Sequence, residues 1–133
     1  MRYVSFVLLP LALLVGGCGS SASSTTPSST HAVETFTGTL QPLGTDVHDF
    51  TQGISGEVTI TLTSAGPQAG ISLGMGFGLP NGAACTLQVA QIVSPANIAQ
   101  ITGSTDPGAY CVSVYDTGTL TAPASYTVVV SHF

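Results

Sequence analysis

The side chains in this sequence that could do acid–base, thiol or metal chemistry are few. They are Cys18, Cys85 and Cys111; His31, His48 and His132; and Glu34, Asp46, Asp49, Glu57, Asp106 and Asp116. His48 and Asp49 form the only adjacent histidine–carboxylate pair. A small hydrolase would use His48 as its base. Neighbours on an extended strand point to opposite faces, however, so Asp49 is badly placed to orient that ring. No nucleophile elbow of the Gly-x-Ser-x-Gly kind and no His-Glu-x-x-His is read in the chain. His48 is therefore read as a surface histidine, His132 as the solvated end of a last strand and His31 as linker. No catalytic residue is assigned.

The acids could offer oxygen to calcium, which takes about six to eight such ligands. Asp46, Asp49 and Glu57 lie close in sequence, and Asp106 and Asp116 flank one strand-like segment. These five are the metal candidates, but no Asp-x-Asp-x-Asp-Gly loop joins them. Asp106 before Pro-Gly and Asp116 before Thr-Gly suit turn hydrogen bonding to the backbone. No cofactor is expected. "GMGFG", Gly74 to Gly78, is no dinucleotide loop, because its glycines alternate inside a strand and no helix follows. It reads as a flat glycine face where another backbone or an aromatic ring comes close. A sugar platform would need exposed aromatics. The chain has no Trp, and with Tyr110 expected in the core only Tyr115, Tyr126 and Phe133 remain, too few for a sugar site.

Charge narrows the partners. Charged residues make up 5% of the chain, against about 25% in ordinary globular proteins. Arg2 is the only Lys or Arg, set against six Asp and Glu. Nucleic-acid binding depends on cations that neutralise phosphates, and a polybasic contact with anionic lipid needs them too. Both are excluded. Carboxylate and phosphate substrates would lack their usual Arg clamp. Yet a mean hydropathy of +0.48 is not that of a disordered chain.

The elements that position these residues begin after a distinctive start. Arg2 is a short basic region, Val4 to Val15 is apolar, and small residues follow, which is the secretory signal pattern. The apolar run falls short of the roughly 20 residues that span a bilayer. Val15-Gly16-Gly17-Cys18 resembles the lipobox of bacterial lipoproteins, with Val for Leu and Gly in the second position. The resemblance implies cleavage before Cys18, a diacylglycerol on its sulfur and an acyl chain on its new amine. Such chains, at about 0.8 kcal/mol per buried methylene, would anchor the protein in a membrane. Gly19 rather than Asp follows the cysteine, which favours the outer membrane in a host that has one. Residues 1–17 are thus expected to be a signal peptide. Residues 18–33, rich in Ser and Thr, read as a tether that holds the domain roughly 20 Å from the membrane.

Residues 34–133 read as one all-β domain, a small antiparallel β-sandwich of about seven to eight strands. In "GEVTITLTS", Val58, Ile60 and Leu62 alternate with Thr59, Thr61 and Thr63. "ETFTGTL", "VHDFTQ", "AGISLGMGFGLP", "ACTLQVAQ", "NIAQIT", "AYCVSVYD" and "SYTVVVSHF" supply the other strands. Asn81-Gly82 marks a hairpin of type I′, in which both central residues need positive φ. Once the third cysteine carries lipid, Cys85 and Cys111 read as a disulfide of an exported protein. Their apparent faces differ, so that bond needs a bulge or an edge position.

"GTDVHDFTQGISGEVTITLTS" (Gly44 to Ser64) and "PGAYCVSVYDTGTLTAPASYTVVVSHF" (Pro107 to Phe133) resemble the bacterial prepeptidase C-terminal domain, a small β-sandwich often appended to secreted proteases. The pattern runs from a polar turn through a Thr-alternating strand to Gly-x-Tyr and a final hairpin. The acidic strand of that family is replaced here by acid-free "ISLGMGFGL", so no calcium role is carried over. The expected function is a non-catalytic binding or presenting module, held in the bacterial cell envelope by Cys18. The alternative is an accessory envelope protein acting on a protein partner through an edge strand or the flat strand Ile71 to Leu79. A small hydrolase ranks last.

Overall fold

The computed structural model describes residues 30–133. The expected signal segment, the lipobox with Cys18 and most of the tether lie outside the described residues. Eight strands form: β1 (Ala32–Leu40), β2 (Thr45–Gln52), β3 (Gly56–Gly66), β4 (Leu73–Asn81), β5 (Ala84–Val93), β6 (Ile101–Thr105), β7 (Gly108–Tyr115) and β8 (Ala124–His132). They make two four-stranded antiparallel sheets, ordered β1-β8-β3-β6 and β2-β7-β4-β5. The expected sandwich is what the chain builds, and the described residues contain no helix.

Alternation explains the core. Val58, Ile60 and Leu62 of β3 are buried, and so are Leu73, Met75 and Phe77 of β4, Val112 and Val114 of β7, and Val128 and Val130 of β8. Each such side chain contributes roughly 1.5–3 kcal/mol on leaving water. The threonines between them on β3 stay partly exposed. Only β4 and β5 are consecutive strands that pair with each other; every other connection crosses between the sheets. The expected final hairpin is therefore not one, because β7 and β8 belong to different sheets. The strand expected over "NIAQIT" starts later, at Ile101, since residues 94–100 carry the chain across. Ala96 N–H donates to Leu62 O, Gln100 N–H to Ile60 O, and Leu62 N–H to the Gln100 side chain.

The β4–β5 hairpin turns differently from expectation. Asn81 pairs with Ala84, so Gly82 and Ala83 are the central residues. Only Gly82 has positive φ, at +61°, which is the pattern of a type II′ turn with glycine first. Further along, Phe77 faces Val89 whereas Gly78 faces Leu87. Gln88 is thus an extra residue, a bulge in β5. It reverses the facing of everything between it and the turn.

That bulge resolves the cysteine problem. Counted back by twos from Val89, which lies opposite Phe77 on the inner face of the sheet, Cys85 would point inward; the extra residue turns it outward. Cys111 lies opposite Gly78, and Cys85 opposite Pro80 two positions along the same face. The two sulfurs are bonded across β4 on the sheet face turned away from the core, where Cys111 is itself fully covered, at a Cα–Cα distance of 5.8 Å.

Candidate functional site

The polar residues of the interior gather on the side where β1 and β8 face β2. His48 and Asp46, two positions apart on β2, share the inward face, and Asp49 points away. Asp46 therefore stands where sequence neighbours suggested Asp49. Between the two lies the phenol of Tyr126. Its O–H donates to Asp46 Oδ2 at 2.9 Å and, for the tautomer with a proton on Nε2, accepts from His48 at 2.7 Å. Phe36 stacks on the His48 ring with centroids 4.8 Å apart. Gly38 leaves room for the network, since a Cβ there would sit 2.6 Å from the phenol oxygen. Burial pushes the Tyr126 hydroxyl well above its usual range, and the Asp46 carboxylate adds to the shift.

Two expectations for single residues fail here. His48 is half-buried against Phe36 and Tyr126 rather than a surface histidine. His132 is likewise buried rather than solvated: Nε2 lies 2.9 Å from Glu34 Oε1, and the ring packs 5.0 Å from that of Phe50. Sequence order hid these partners, which lie 78 and 98 positions away in the chain. His31 rests beside Phe133. Tyr110 is partly buried against the core, with its hydroxyl donating to Asp106 O at 2.9 Å.

At one end of the sandwich Asp116 organises two connections. Oδ1 accepts the N–H groups of Gly118, Thr119 and Leu120 at 3.0 to 3.1 Å. Oδ2 accepts Leu43 N–H at 2.8 Å. The Leu43 hydrogen bond foremost, with those of Leu120, Thr119 and Gly118, holds this carboxyl below its usual range against the opposing effect of burial. Such a carboxylate is a structural acceptor, in keeping with the turn role read from Asp116-Thr117-Gly118. Asp106 accepts from the Ser55 hydroxyl at 3.0 Å. Among the described residues no three His, Cys, Asp or Glu side chains converge as a metal site. Asp46, Asp49, Glu57, Asp106 and Asp116 are therefore not brought together.

The letters Gly-x-Ser-x-Gly do occur, contrary to the reading above, at Gly70-Ile71-Ser72-Leu73-Gly74. A nucleophile elbow needs a strand-to-helix turn. Ser72 instead leads into β4, and its hydroxyl lies 2.8 Å from that of Ser94.

The glycine face of β4 is covered from within the chain. A Cβ on Gly74 would lie 2.1 Å from the Tyr115 ring, and one on Gly78 would lie 1.9 Å from the Thr86 carbonyl oxygen. A ring and a backbone come close, as the alternation implied. Ile71 to Leu79 is consequently no open edge for a partner: β4 lies between β7 and β5 with both edges paired. The open side lies opposite the His48 network, between β5 and β6. A cavity of about 210 Å³ there has Val58, Phe77 and Ile101 among its lining, with Gln88 and Val89 of β5 and Thr102 to Thr105 of β6. Leu87, Val89 and Ile92 of β5 are exposed beside it.

No protein-family model matches the chain, and no curated protein matches it.

Proposed function

We propose that this chain is a lipid-anchored module of the bacterial cell envelope whose β-sandwich binds or presents rather than catalyses. The observation that carries this reading is the Cys85–Cys111 disulfide. Structural disulfides persist in oxidising compartments, and here one occurs in a chain whose first residues read as a secretory pattern and whose Val15-Gly16-Gly17-Cys18 resembles a lipobox. Removal of residues 1–17 would leave Cys18 at the new N-terminus. Thioether-linked lipid there would tether the domain through the residues between Cys18 and β1, which begins at Ala32 rather than after residue 33. The resemblance of Gly44–Ser64 and Pro107–Phe133 to the prepeptidase C-terminal domain supports the same non-catalytic role.

The histidines fit it as well. His48 is engaged by Tyr126 beneath Phe36, and His132 by Glu34. Each helps to close the sandwich. The uncovered apolar surface lies instead at β5 and the cavity beside it, which suits contact with a protein.

The test is the intact mass of protein extracted from membranes. A chain beginning at Cys18 with the added mass of diacylglycerol and an acyl group is expected, and a full-length unmodified chain overturns the reading. Proteinase K applied to whole and lysed cells then gives the face. Trypsin is useless, because Arg2 is the only Lys or Arg. Digestion in whole cells would mean external binding; protection until lysis would mean an accessory role inside the envelope.

A further inference from the structure

We infer that β5 is a self-association edge, pairing antiparallel with β5 of a second copy about a two-fold axis. Each sheet has two edge strands, and three of the four are guarded by charge. Edge strand β1 carries Glu34, and β2 carries Asp46 and Asp49. At the third edge, β6 is only five residues long, runs directly into Asp106, and pairs its Ser104 with Glu57. The fourth, β5, is ten residues long with neither a charge nor a proline. Native edge strands are normally protected by Lys, Pro, covering segments or bulges. Here the guard is the Gln88 bulge; beyond it Val89 to Val93 pair regularly with β4, with Val93 buried and the Gln91 side chain donating to Gln100 O. On this strand Val89 is 47% and Ile92 66% exposed, with Leu87 also exposed.

Charge selects the partner. No residue from 58 to 105 is charged, and no Lys or Arg follows Arg2. Two copies therefore repel wherever acids face each other, and the β5 side is where they do not. An acidic or basic partner gains nothing from an edge without charge. A second β5 offers the same aliphatic side chains to each other across the axis, as a self-complementary two-fold contact requires.

The geometry follows from antiparallel pairing. Gln91 is the middle of Val89 to Val93, so it sits at the axis opposite Gln91 of the second copy. The axis runs normal to the sheet and sends the two Glu57–Asp106 ends to opposite ends of the pair. It also keeps both β1-β8-β3-β6 sheets on one side, so both chain starts leave from the same layer. That last point rests on the anchor reading, since two copies held in one membrane need it; the pairing itself does not.

The experiment uses the full chain carrying Cys18→Ser, with Cys85 and Cys111 already paired, so that an introduced cysteine is the only free thiol. Directly opposed antiparallel residues have Cα atoms about 4.5–5.5 Å apart, within the reach of a disulfide. Gln91→Cys is expected to give a disulfide-linked dimer under mild oxidation. Ile92→Cys, diagonal to its counterpart at about 7–8 Å, is expected to be captured by a short bis-maleimide. Thr51→Cys, exposed on the opposite edge of the same sheet, is expected to give neither. Adding Val89→Lys should abolish both β5 cross-links. Monomer from both β5 variants overturns the inference, as does equal cross-linking through Thr51→Cys or cross-links that survive Val89→Lys. The anchor reading is judged separately, by the mass of the unsubstituted protein.

Discussion

Leu43 and Asp116 stand 73 positions apart in the chain, joined by a hydrogen bond of 2.8 Å from the Leu43 N–H to Asp116 Oδ2. Leu43 holds φ at +59°, in the left-handed region, which costs a residue with a Cβ roughly 1–2 kcal/mol. One carboxylate thus secures that turn and, through its other oxygen, the start of the β7–β8 connection.

Replacement of Asp116 by Asn is expected to destabilise the domain, and replacement by Ala more so. Asn has one acceptor oxygen for the donors that two oxygens now receive. The native carboxyl titrates below its unfolded value of about 3.9. Its contribution is therefore present above that value and is lost as pH falls through the lower, folded one. Melting temperature measured from pH 7 to pH 2 should fall more steeply for the native protein than for Asp116→Asn, so that the two curves converge in acid.

Tyr126 acts at the opposite end of the pH scale. Its folded pKa is raised, so the stability it contributes is complete below about pH 10 and is lost as pH rises beyond that. Alkaline denaturation should be blunted in Tyr126→Phe, which has no hydroxyl to ionise. The same variant should lose about 1–3 kcal/mol at neutral pH, because Asp46 and His48 lose a shared partner. Urea denaturation at pH 7 and pH 11 tests both effects.

Reduction of the Cys85–Cys111 bond frees a loop set by a separation of 26 positions, worth about 3.5 kcal/mol by chain entropy. The urea midpoint of the reduced protein, or of Cys85→Ser with Cys111→Ser, should fall accordingly. Intact mass should rise by two hydrogens on reduction, and an unchanged mass would show that no such bond existed.

The glycines of β4 should respond unequally to alanine. At Gly78 the new methyl would meet the Thr86 backbone, which cannot turn aside, and a loss at the upper end of the range of about 1–3 kcal/mol is expected. At Gly74 it would meet the Tyr115 ring, which can rotate toward solvent, so the loss should be smaller. A double-mutant cycle of Gly74→Ala with Tyr115→Ala should show the two changes partly cancelling.

Sheet-level features were legible because their signals are local. Alternation in residues 56–64 and the valines of residues 126–130 give strand and face directly. The bare glycines of β4 foretold a close neighbour, although not that Tyr115 and Thr86 would supply it. What could not be read depends on pairing across the chain. His48 met Tyr126, His132 met Glu34 and Leu43 met Asp116 only because the connections cross between sheets. Sequence proximity pointed instead to Asp49 and to solvent. Likewise β4 reads as a free edge until β7, which follows it by three strands, fills the place beside it. The Gln88 bulge has no signature in "ACTLQVAQ", so the facing of Cys85 was unreadable.

That single extra residue gives the count between Cys85 and Val89 a chemical meaning. Its parity, odd or even, decides whether a cysteine meets its partner outside the sandwich or faces the core alone. Deletion of Gln88 would change hairpin length by one residue and, with it, the oxidation state available to two side chains. In this hairpin an insertion or deletion acts as a redox mutation without touching either sulfur.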